Sequence, residues 1–391
     1  MSRLGIITAW LCLREGNLID TNRPLLVFRS FYQLLVTLFN IQQLQCLDKM
    51  LYRQLFVRLF ACATILQVTR VIYRQYSFQT YLQSLMIDWE DFPSDYARAL
   101  NESMLRGEQP QESDYAPISE TKIPRIIHYI WFNNIYPDHE TPAGAPSTGF
   151  GSPELCKKFN PGYEIRMWNA TSARELLENE YPWFLPTYDS YQYPIQKVDA
   201  LKYFALYHYG GVYMDLDVAC RRSLDPLLEF PAWFPEASPL GVNNDLMASA
   251  AKHPIVKKMT EGLMTHNWNL LFPYLTIFWT TGPQFTTTIL QEWYERCEDE
   301  QCFQRRHAKD IESNGFAILQ RIFYSEEFTF FGHKPGGTWH GGDVAVVLWL
   351  VEHPWALASL AAAFFGTLAG IIRVRHRRAT RWDAKPISEF A

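Results

Sequence analysis

The clearest pattern of apolar and polar positions in this chain lies between residues 194 and 217. Apolar residues recur at steps of three and four from Pro194 to Tyr209, which predicts a helix. Proline suits the first turn of a helix, and Gly210 suits its end. The next residues, "VYMDLD", place Val212 and Met214 on one face and predict a short strand. A helix, a glycine turn and a strand therefore follow one another.

Two further segments are continuously apolar, as are strands that are buried on both faces of a parallel sheet. They are "IIHYIW" (126–131) and "YEIRMWN" (163–169). The segment "SARELLENEYPWF" predicts a helix with Ser172 as its cap. This alternation of strands and helices predicts an α/β domain with a mostly parallel central sheet over residues 122–343. Ligands bind beyond the carboxyl ends of the strands in such sheets.

The two ends of the chain predict membrane association. Residues 1–80 are apolar but interrupted by arginine, which favours a signal-anchor, with interfacial helices or a transit peptide as alternatives. Residues 81–121 are mostly polar and predict a stem. Residues 344–373 include the uncharged stretch 354–372, which is about long enough to span a bilayer. Residues 374–391 form a basic tail.

A basic tail after a membrane span is expected on the cytoplasmic side. The globular section is then expected in a lumen, and the glycosylation sequons at Asn101 and Asn169 agree with that location. Cys297 and Cys302 are close enough in sequence to pair in an oxidising lumen, with two unpaired thiols as the alternative. The seven cysteines match no zinc-ligand spacing.

Composition narrows the functional classes. The net charge of −5 argues against binding of nucleic acid. Aromatic residues make up 15% of the chain, a share that fits sugar stacking or a membrane interface. The segment 269–279, "NLLFPYLTIFW", has the composition of an interfacial loop, and a core strand is the alternative.

The candidate chemistry lies at the end of the strand "VYMDLD". In a strand, Asp215 and Asp217 point the same way, and two such charges repel unless a cation neutralises them. Oxygen-only ligands favour Mn²⁺ or Mg²⁺, whereas a turn cap is the alternative role for the pair. In the preceding helix, Asp199 and Lys202 share a face, either towards the same cleft or as a surface ion pair.

Several segments resemble the Asp-x-Asp sugar transferases of glycosyltransferase family 32. They are "IPRIIHYIW", "QKVDALKYFALYHYGGVYMDLD" and "WH" at 339–340. Within that family, "SPLGVNNDLMAS" and "FPYLTIFWTTGP" are similar to the fungal mannosyl-inositol-phosphorylceramide synthase group. The resemblance covers about residues 122–343. It implies a GT-A-like fold, GDP-mannose as donor, Mn²⁺ (or Mg²⁺) as cofactor, and transfer with retention.

The resemblance also implies an inositol phosphorylceramide acceptor, a Golgi membrane location and a membrane-protein regulatory subunit as partner. The segment "GGDVAVVLWLVEH", which separates His340 from Pro354, is short, and this independently favours an acceptor at the bilayer. The roles carried over by the resemblance are metal binding by Asp215, Asp217 and His340; donor binding by His128, Trp131, Asp199 and Lys202; and catalysis by Asp215, Asp217, Asn244 and Asp245.

Lys202 stands where the family usually has arginine, and lysine cannot make a bidentate contact to phosphate. This departure keeps open a weakly catalytic regulatory subunit as an alternative, although the intact Asp215 and Asp217 pair argues against it. A second alternative is a family-32 mannosyltransferase of the α-1,6 type that acts on N-glycans. A metal-dependent hydrolase would need further His or Asp ligands.

Overall fold

The computed structural model describes most of the chain between residues 49 and 374. The described residues are 49–106, 121–132, 153–238, 240–270, 272–296, 314–324, 330–333, 342–353, 355–356, 359–367, 370–371 and 374. The chain divides into two units, Met1–Tyr73 and Arg74–Ala391.

Eleven named helices and eight strands lie within the described residues. The helices are α1 (Lys49–Ser84), α2 (Ser94–Arg106), α3 (Pro153–Phe159), α4 (Ala170–Glu180), α5 (Leu185–Ser190), α6 (Pro194–Tyr209), α7 (Pro254–Thr265), α8 (Pro273–Thr280), α9 (Pro283–Glu295), α10 (Arg321–Tyr324) and α11 (Gly342–Glu352). The strands are β1 (Ile126–Ile130), β2 (Glu164–Trp168), β3 (Gly211–Met214), β4 (Val218–Cys220), β5 (Ala232–Pro235), β6 (Leu246–Ser249), β7 (Ala317–Leu319) and β8 (Phe331–His333).

The central sheet of the second unit has six strands in the order β2-β1-β3-β6-β5-β7. Strand β1 is parallel to β2 and β3, and β5 is parallel to β7. Only β6 runs antiparallel to its two neighbours in this sheet. A separate antiparallel pair joins β4 to β8. The prediction of an α/β domain with a mostly parallel central sheet is confirmed.

The alternation predicted for β3 sends its side chains into two different cores. Tyr213 packs with Phe204 of α6 and Phe285 of α9 in the core on one face of the sheet. Val212 and Met214 pack in the core on the other face. Strand β3 is therefore covered on both faces, and the residues that follow it emerge at the edge of a rigid layer.

Both glycines after α6 are required by the backbone. Helix α6 spans Pro194–Tyr209 as predicted, and Gly210 follows it with φ of 67°. A Cβ atom at Gly210 would lie 2.6 Å from Ala251 N, and one at Gly211, where φ is 105°, would lie 2.6 Å from Ile126 O. These close approaches let β3 pack directly against β1, and they fix where β3 begins.

Three local predictions need correction. Asn169, and not Ser172, caps α4, and the side chain of each binds the backbone N–H of the other. The segment 269–279 is neither a loop nor a strand throughout, because Pro273–Thr280 is the helix α8. The predicted stem 81–121 is folded in part, since Leu85 and Leu100 are buried in the two cores.

The predicted membrane segments are only partly described. Residues Leu55–Ser84 of α1 are long and apolar enough to cross a membrane by length and composition. No other helix in the described ranges meets the same criterion. Only parts of the stretch 354–372 are described, and its assignment as a span stays a prediction, as do the other predicted domain boundaries.

Candidate active site

The two aspartates of "VYMDLD" lie just beyond the end of β3. Strand β3 stops at Met214, and Val218 N donates to Asp215 O over 3.0 Å, which makes a turn of the residues in between. Asp215 N also donates to Asp245 O over 2.7 Å. The turn, and not the alternation of a strand, therefore determines how Asp215 and Asp217 are placed.

A buried lysine lies beneath this turn. Lys202 Nζ is 3.2 Å from Asp215 Oδ1 and 2.9 Å from Asp199 Oδ1. Its side chain is only 4% exposed, compared with 34% for Asp215. The Lys202 ammonium also lies 4.9 Å above the Tyr213 ring. The alternative of a surface ion pair between Asp199 and Lys202 is therefore wrong, because both partners are buried.

The charge of Lys202 is maintained by its partners. Burial lowers the pKa of Lys202, but the attraction to Asp199 and then to Asp215 outweighs burial, so its pKa stands well above the ordinary value. Lys202 therefore remains a cation in the core, and it offsets the charge that Asp215 brings to the edge of the sheet.

Asp199 is fixed by elements that are distant in sequence. Thr281, which follows α8, donates through Oγ1 to Asp199 Oδ2 over 3.1 Å. Asn244 Nδ2 lies 3.4 Å from Asp199 Oδ1 and 3.3 Å from the Tyr203 hydroxyl. Lys202 Nζ in turn donates to Asn244 O over 3.3 Å. Helix α6, the loop before β6 and the end of α8 are thus tied together at one buried carboxylate.

Asp245 brings a third carboxylate towards the same turn. Its Oδ2 accepts a hydrogen bond from the Tyr324 hydroxyl at the end of α10. Burial raises the pKa of Tyr324, and the carboxylates of Asp245, Asp215 and Asp217 raise it further. Tyr324 therefore keeps its proton and remains a hydrogen-bond donor to Asp245. The structure places Asn244 and Asp245 beside the turn from Asp215 to Val218. The catalytic roles predicted for both residues stay predictions.

The other two predicted donor-binding residues, His128 and Trp131, also lie in the core. His128 on β1 is 0% exposed. Trp168 Nε1 donates to Nδ1 of His128 over 3.1 Å, and Nε2 of His128 is 2.8 Å from Gly210 O. Because indole can only donate, Nδ1 accepts and Nε2 carries the proton. Both nitrogens are thus used within the fold, which favours a packing role for His128. Trp131 is also buried, and its backbone N–H donates to Trp168 O over 2.8 Å.

The turn has the oxygen ligands that a hard divalent cation prefers. Among the residues that the structure describes, the Tyr213 hydroxyl and the Lys202 ammonium both contact Oδ1 of Asp215, which leaves Oδ2 for a ligand. No group of three His, Cys, Asp or Glu side chains suited to a metal occurs within the described ranges. Two carboxylates fit Mn²⁺ or Mg²⁺, which commonly take the remaining ligands from substrate phosphates and water. The predicted third ligand, His340, lies outside the described residues.

A disulfide behind the turn was not predicted. Cys156 on α3 is bonded to Cys220 on β4, across a sequence separation of 64 residues. Cys156 Sγ also lies 3.5 Å from Sδ of Met214, the residue before Asp215. The predicted pair Cys297 and Cys302 lies outside the described residues. The sequence carries no local signal for the observed bond, because its two cysteines lie in different elements.

Tyr213, Thr281 and Tyr324 also belong to this site, and the sequence reading did not select them. Tyr213 donates to Asp215 Oδ1. Its position two residues before Asp215 in the predicted strand was an available signal, although β3 itself ends at Met214. Thr281 and Tyr324 meet the site only through tertiary packing, so their sequence positions gave no indication.

Comparisons with known proteins decide the family. Residues 151–233 match the family described as a glycosyltransferase sugar-binding region containing a DXD motif. A protein named inositol phosphoceramide mannosyltransferase 1, from Schizosaccharomyces pombe, is 31% identical over 285 residues, covering 70% of this chain and 82% of that protein. This chain belongs to the DXD glycosyltransferases. The resemblance to the Asp-x-Asp sugar transferases of family 32 is confirmed.

Two other relatives have similar names. Inositol phosphoceramide mannosyltransferase 3 from S. pombe is 36% identical over 237 residues, which cover 60% of each chain. Mannosyl phosphorylinositol ceramide synthase SUR1 from Saccharomyces cerevisiae is 37% identical over 240 residues, covering 61% of this chain and 57% of that protein. The chain thus spans about three fifths of the length of these two relatives.

Proposed function

We propose that this chain is a retaining mannosyltransferase that moves mannose from GDP-mannose to inositol phosphorylceramide in sphingolipid biosynthesis. The observation that carries the proposal is the partly exposed Asp215 backed by the buried cation of Lys202, in a chain of the DXD family. The names of the relatives support mannose as the sugar and inositol phosphoceramide as the acceptor. Retention and the GDP-mannose donor are assigned from the family resemblance.

In this proposal Asp215 and Asp217 would hold Mn²⁺ or Mg²⁺ at the donor site. A divalent cation bound there would supply a Lewis acid to stabilise the charge that develops on the leaving group. Asp215 is already held in place by Tyr213 and Lys202, so its carboxylate needs little reorganisation when the donor binds. Asp245 is held by Tyr324 next to the same turn.

Lys202 and Asp199 are assigned a positioning role. Both side chains are almost fully buried, and Lys202 is in contact with Asp199, Asp215 and the backbone of Asn244. We therefore infer that Lys202 acts on the donor through Asp215, without touching the phosphates. A lysine suits this position because it contributes a single compact charge, and the bidentate geometry of arginine has no phosphate to engage.

We also propose that the active site faces the lumen of the Golgi or another secretory compartment. The Cys156–Cys220 disulfide supports this location, because such bonds persist in oxidising compartments. The apolar helix segment Leu55–Ser84 supports membrane anchoring by its length and composition. A membrane-protein regulatory subunit is proposed from the family resemblance, and co-purification from the native membrane tests it.

The deciding experiment is a transfer assay with the purified full chain. GDP-mannose is compared with other sugar nucleotides, with and without Mn²⁺, and inositol phosphorylceramide is compared with an N-glycan acceptor. Mn²⁺-dependent formation of the mannosylated lipid, with the α-anomer determined by NMR, is the expected result. Transfer to the N-glycan alone would identify the α-1,6 type of enzyme. Absence of transfer to either acceptor, in the presence of native membrane extract, would favour a regulatory subunit.

A further inference from the structure

Two neighbouring helices of the second unit expose large apolar side chains. Helix α8 buries Thr276, Ile277 and Thr280, while Trp279 is 39% exposed. Phe272, immediately before α8, is also exposed. An amphipathic helix of a soluble domain normally exposes polar side chains to solvent, whereas α8 exposes an aromatic side chain.

Helix α11 has no polar face. Between Asp343 at its start and Glu352 at its end, every residue is apolar. Val344 is buried, whereas Val346 and Trp349 are 50% and 46% exposed. A helix that is apolar over its whole circumference is ordinarily enclosed by protein or by lipid. The exposed part of α11 therefore requires a covering.

The two helices are joined at their N-terminal ends. Tyr274 N donates to Asp343 Oδ2 over 2.7 Å, so the single acidic side chain in the first turn of α11 accepts a hydrogen bond from the first turn of α8. The apolar groups exposed around this joint define the α8–α11 surface. It comprises Phe272, Trp279, Val346, Leu348 and Trp349.

We propose that the α8–α11 surface docks on the phospholipid bilayer. The chain continues from α11 into the uncharged stretch 354–372, which is followed by "RVRHRR". Residues 355–356 and 359–367 are helical, and Trp355, Leu360 and Phe364 are exposed there. A stretch of this length and composition matches the hydrocarbon core of a bilayer, and tryptophan favours its boundary. The helix that immediately precedes such a stretch must lie close to the membrane surface.

This placement connects the membrane to the candidate active site. Helix α8 has eight residues and is therefore about 12 Å long. At its C-terminal end, Thr281 donates to the buried carboxylate of Asp199, which also binds Lys202. The site thus lies one short helix away from the joint with α11. A lipid acceptor would then meet the donor with its head group still at the bilayer, and this last step rests on the proposed function.

The test is photo-crosslinking of the full chain in phosphatidylcholine vesicles that contain an alkyne-tagged phosphatidylcholine. Benzoylphenylalanine is placed at Trp279 or Trp349, and at Trp183 as the control, because Trp183 is an exposed tryptophan outside both helices. We expect severalfold more lipid adduct at Trp279 and Trp349 than at Trp183. Equal adduct formation at all three positions would overturn the proposal.

A second variant connects docking to turnover without depending on crosslinking. Val346→Asp places a charge on the exposed side of α11, and it is compared with Val346→Leu. We expect the aspartate variant to lose most transfer to vesicle-borne acceptor while it retains hydrolysis of GDP-mannose. Unchanged transfer in Val346→Asp would overturn the docking role. If the protein forms strong lipid adducts but transfers no mannose to any lipid, the proposed function is contradicted and the docking proposal is supported.

Discussion

The ammonium of Lys202 lies 3.2 Å from Oδ1 of Asp215, inside the protein and directly behind the turn from Asp215 to Val218. The same ammonium is 2.9 Å from the buried carboxylate of Asp199. One cation is thus shared between a carboxylate that faces the core and a carboxylate that faces the candidate metal site. This relationship makes stability and activity separable, because the two carboxylates can be altered independently.

The first prediction concerns this shared cation. Lys202→Met leaves Asp199 buried without its ion-pair partner, and we expect a loss of about 3–5 kcal/mol in the free energy of unfolding. Lys202→Arg keeps the charge and serves as the control, with a smaller loss. The Asp199→Asn/Lys202→Met double variant should regain stability without regaining transfer, since Asp215 still lacks its cation. Unfolding in denaturant measures all three, and wild-type stability of Lys202→Met would contradict the assignment.

The second prediction concerns the DXD pair. Asp215→Asn and Asp217→Asn should each abolish mannose transfer and leave the fold intact, because Lys202 retains Asp199 as its partner. Asp189→Asn is the matched control, as Asp189 is exposed and paired with Arg174. Transfer is measured over a range of Mn²⁺ concentrations, with thermal unfolding recorded in parallel. Activity within a few-fold of wild type, with normal Mn²⁺ dependence, would remove the pair from the metal site.

The third prediction concerns the disulfide behind the turn. Replacing both Cys156 and Cys220 by alanine should lower the free energy of unfolding by about 2–4 kcal/mol. It should also lower transfer, since the bond ties β4 to α3 and its Cys156 Sγ lies against Met214, the residue before Asp215. Cys62→Ala is the control, because Cys62 is an exposed free cysteine. An identical melting temperature in the double variant would show that the bond does not support the turn.

The sequence predicted the parts of this site that depend on local rules. The bounds of α6 and its end at Gly210 follow from spacing and glycine chemistry, and both are observed. Strand β3 begins at Gly211, one residue before the predicted Val212. The burial of Lys202 could not be predicted, because an i, i+3 ion pair looks the same on a surface and in a core. Its burial depends on tertiary packing, which brings Asn244 O to Lys202 and the Thr281 hydroxyl to its partner Asp199. The packing role of His128 was hidden in the same way, since Trp168 lies on another strand.

The fourth prediction concerns stability in acid. Burial lowers the pKa of both His128 and His253 to about 4. In the unfolded chain the histidine pKa is about 6.5. Between pH 6.5 and about pH 4 the unfolded chain therefore binds more protons than the folded protein. The free energy of unfolding is thus greatest above pH 6.5, and it falls as the pH decreases through this window. Each buried histidine accounts for up to about 3 kcal/mol of that loss. His253 Nδ1 caps α7, and His253→Asn should keep the cap while removing one titrating group. The melting temperature of this variant should therefore fall less than that of wild type between pH 7.5 and pH 5, and parallel curves would mean that His253 is not protonated on unfolding.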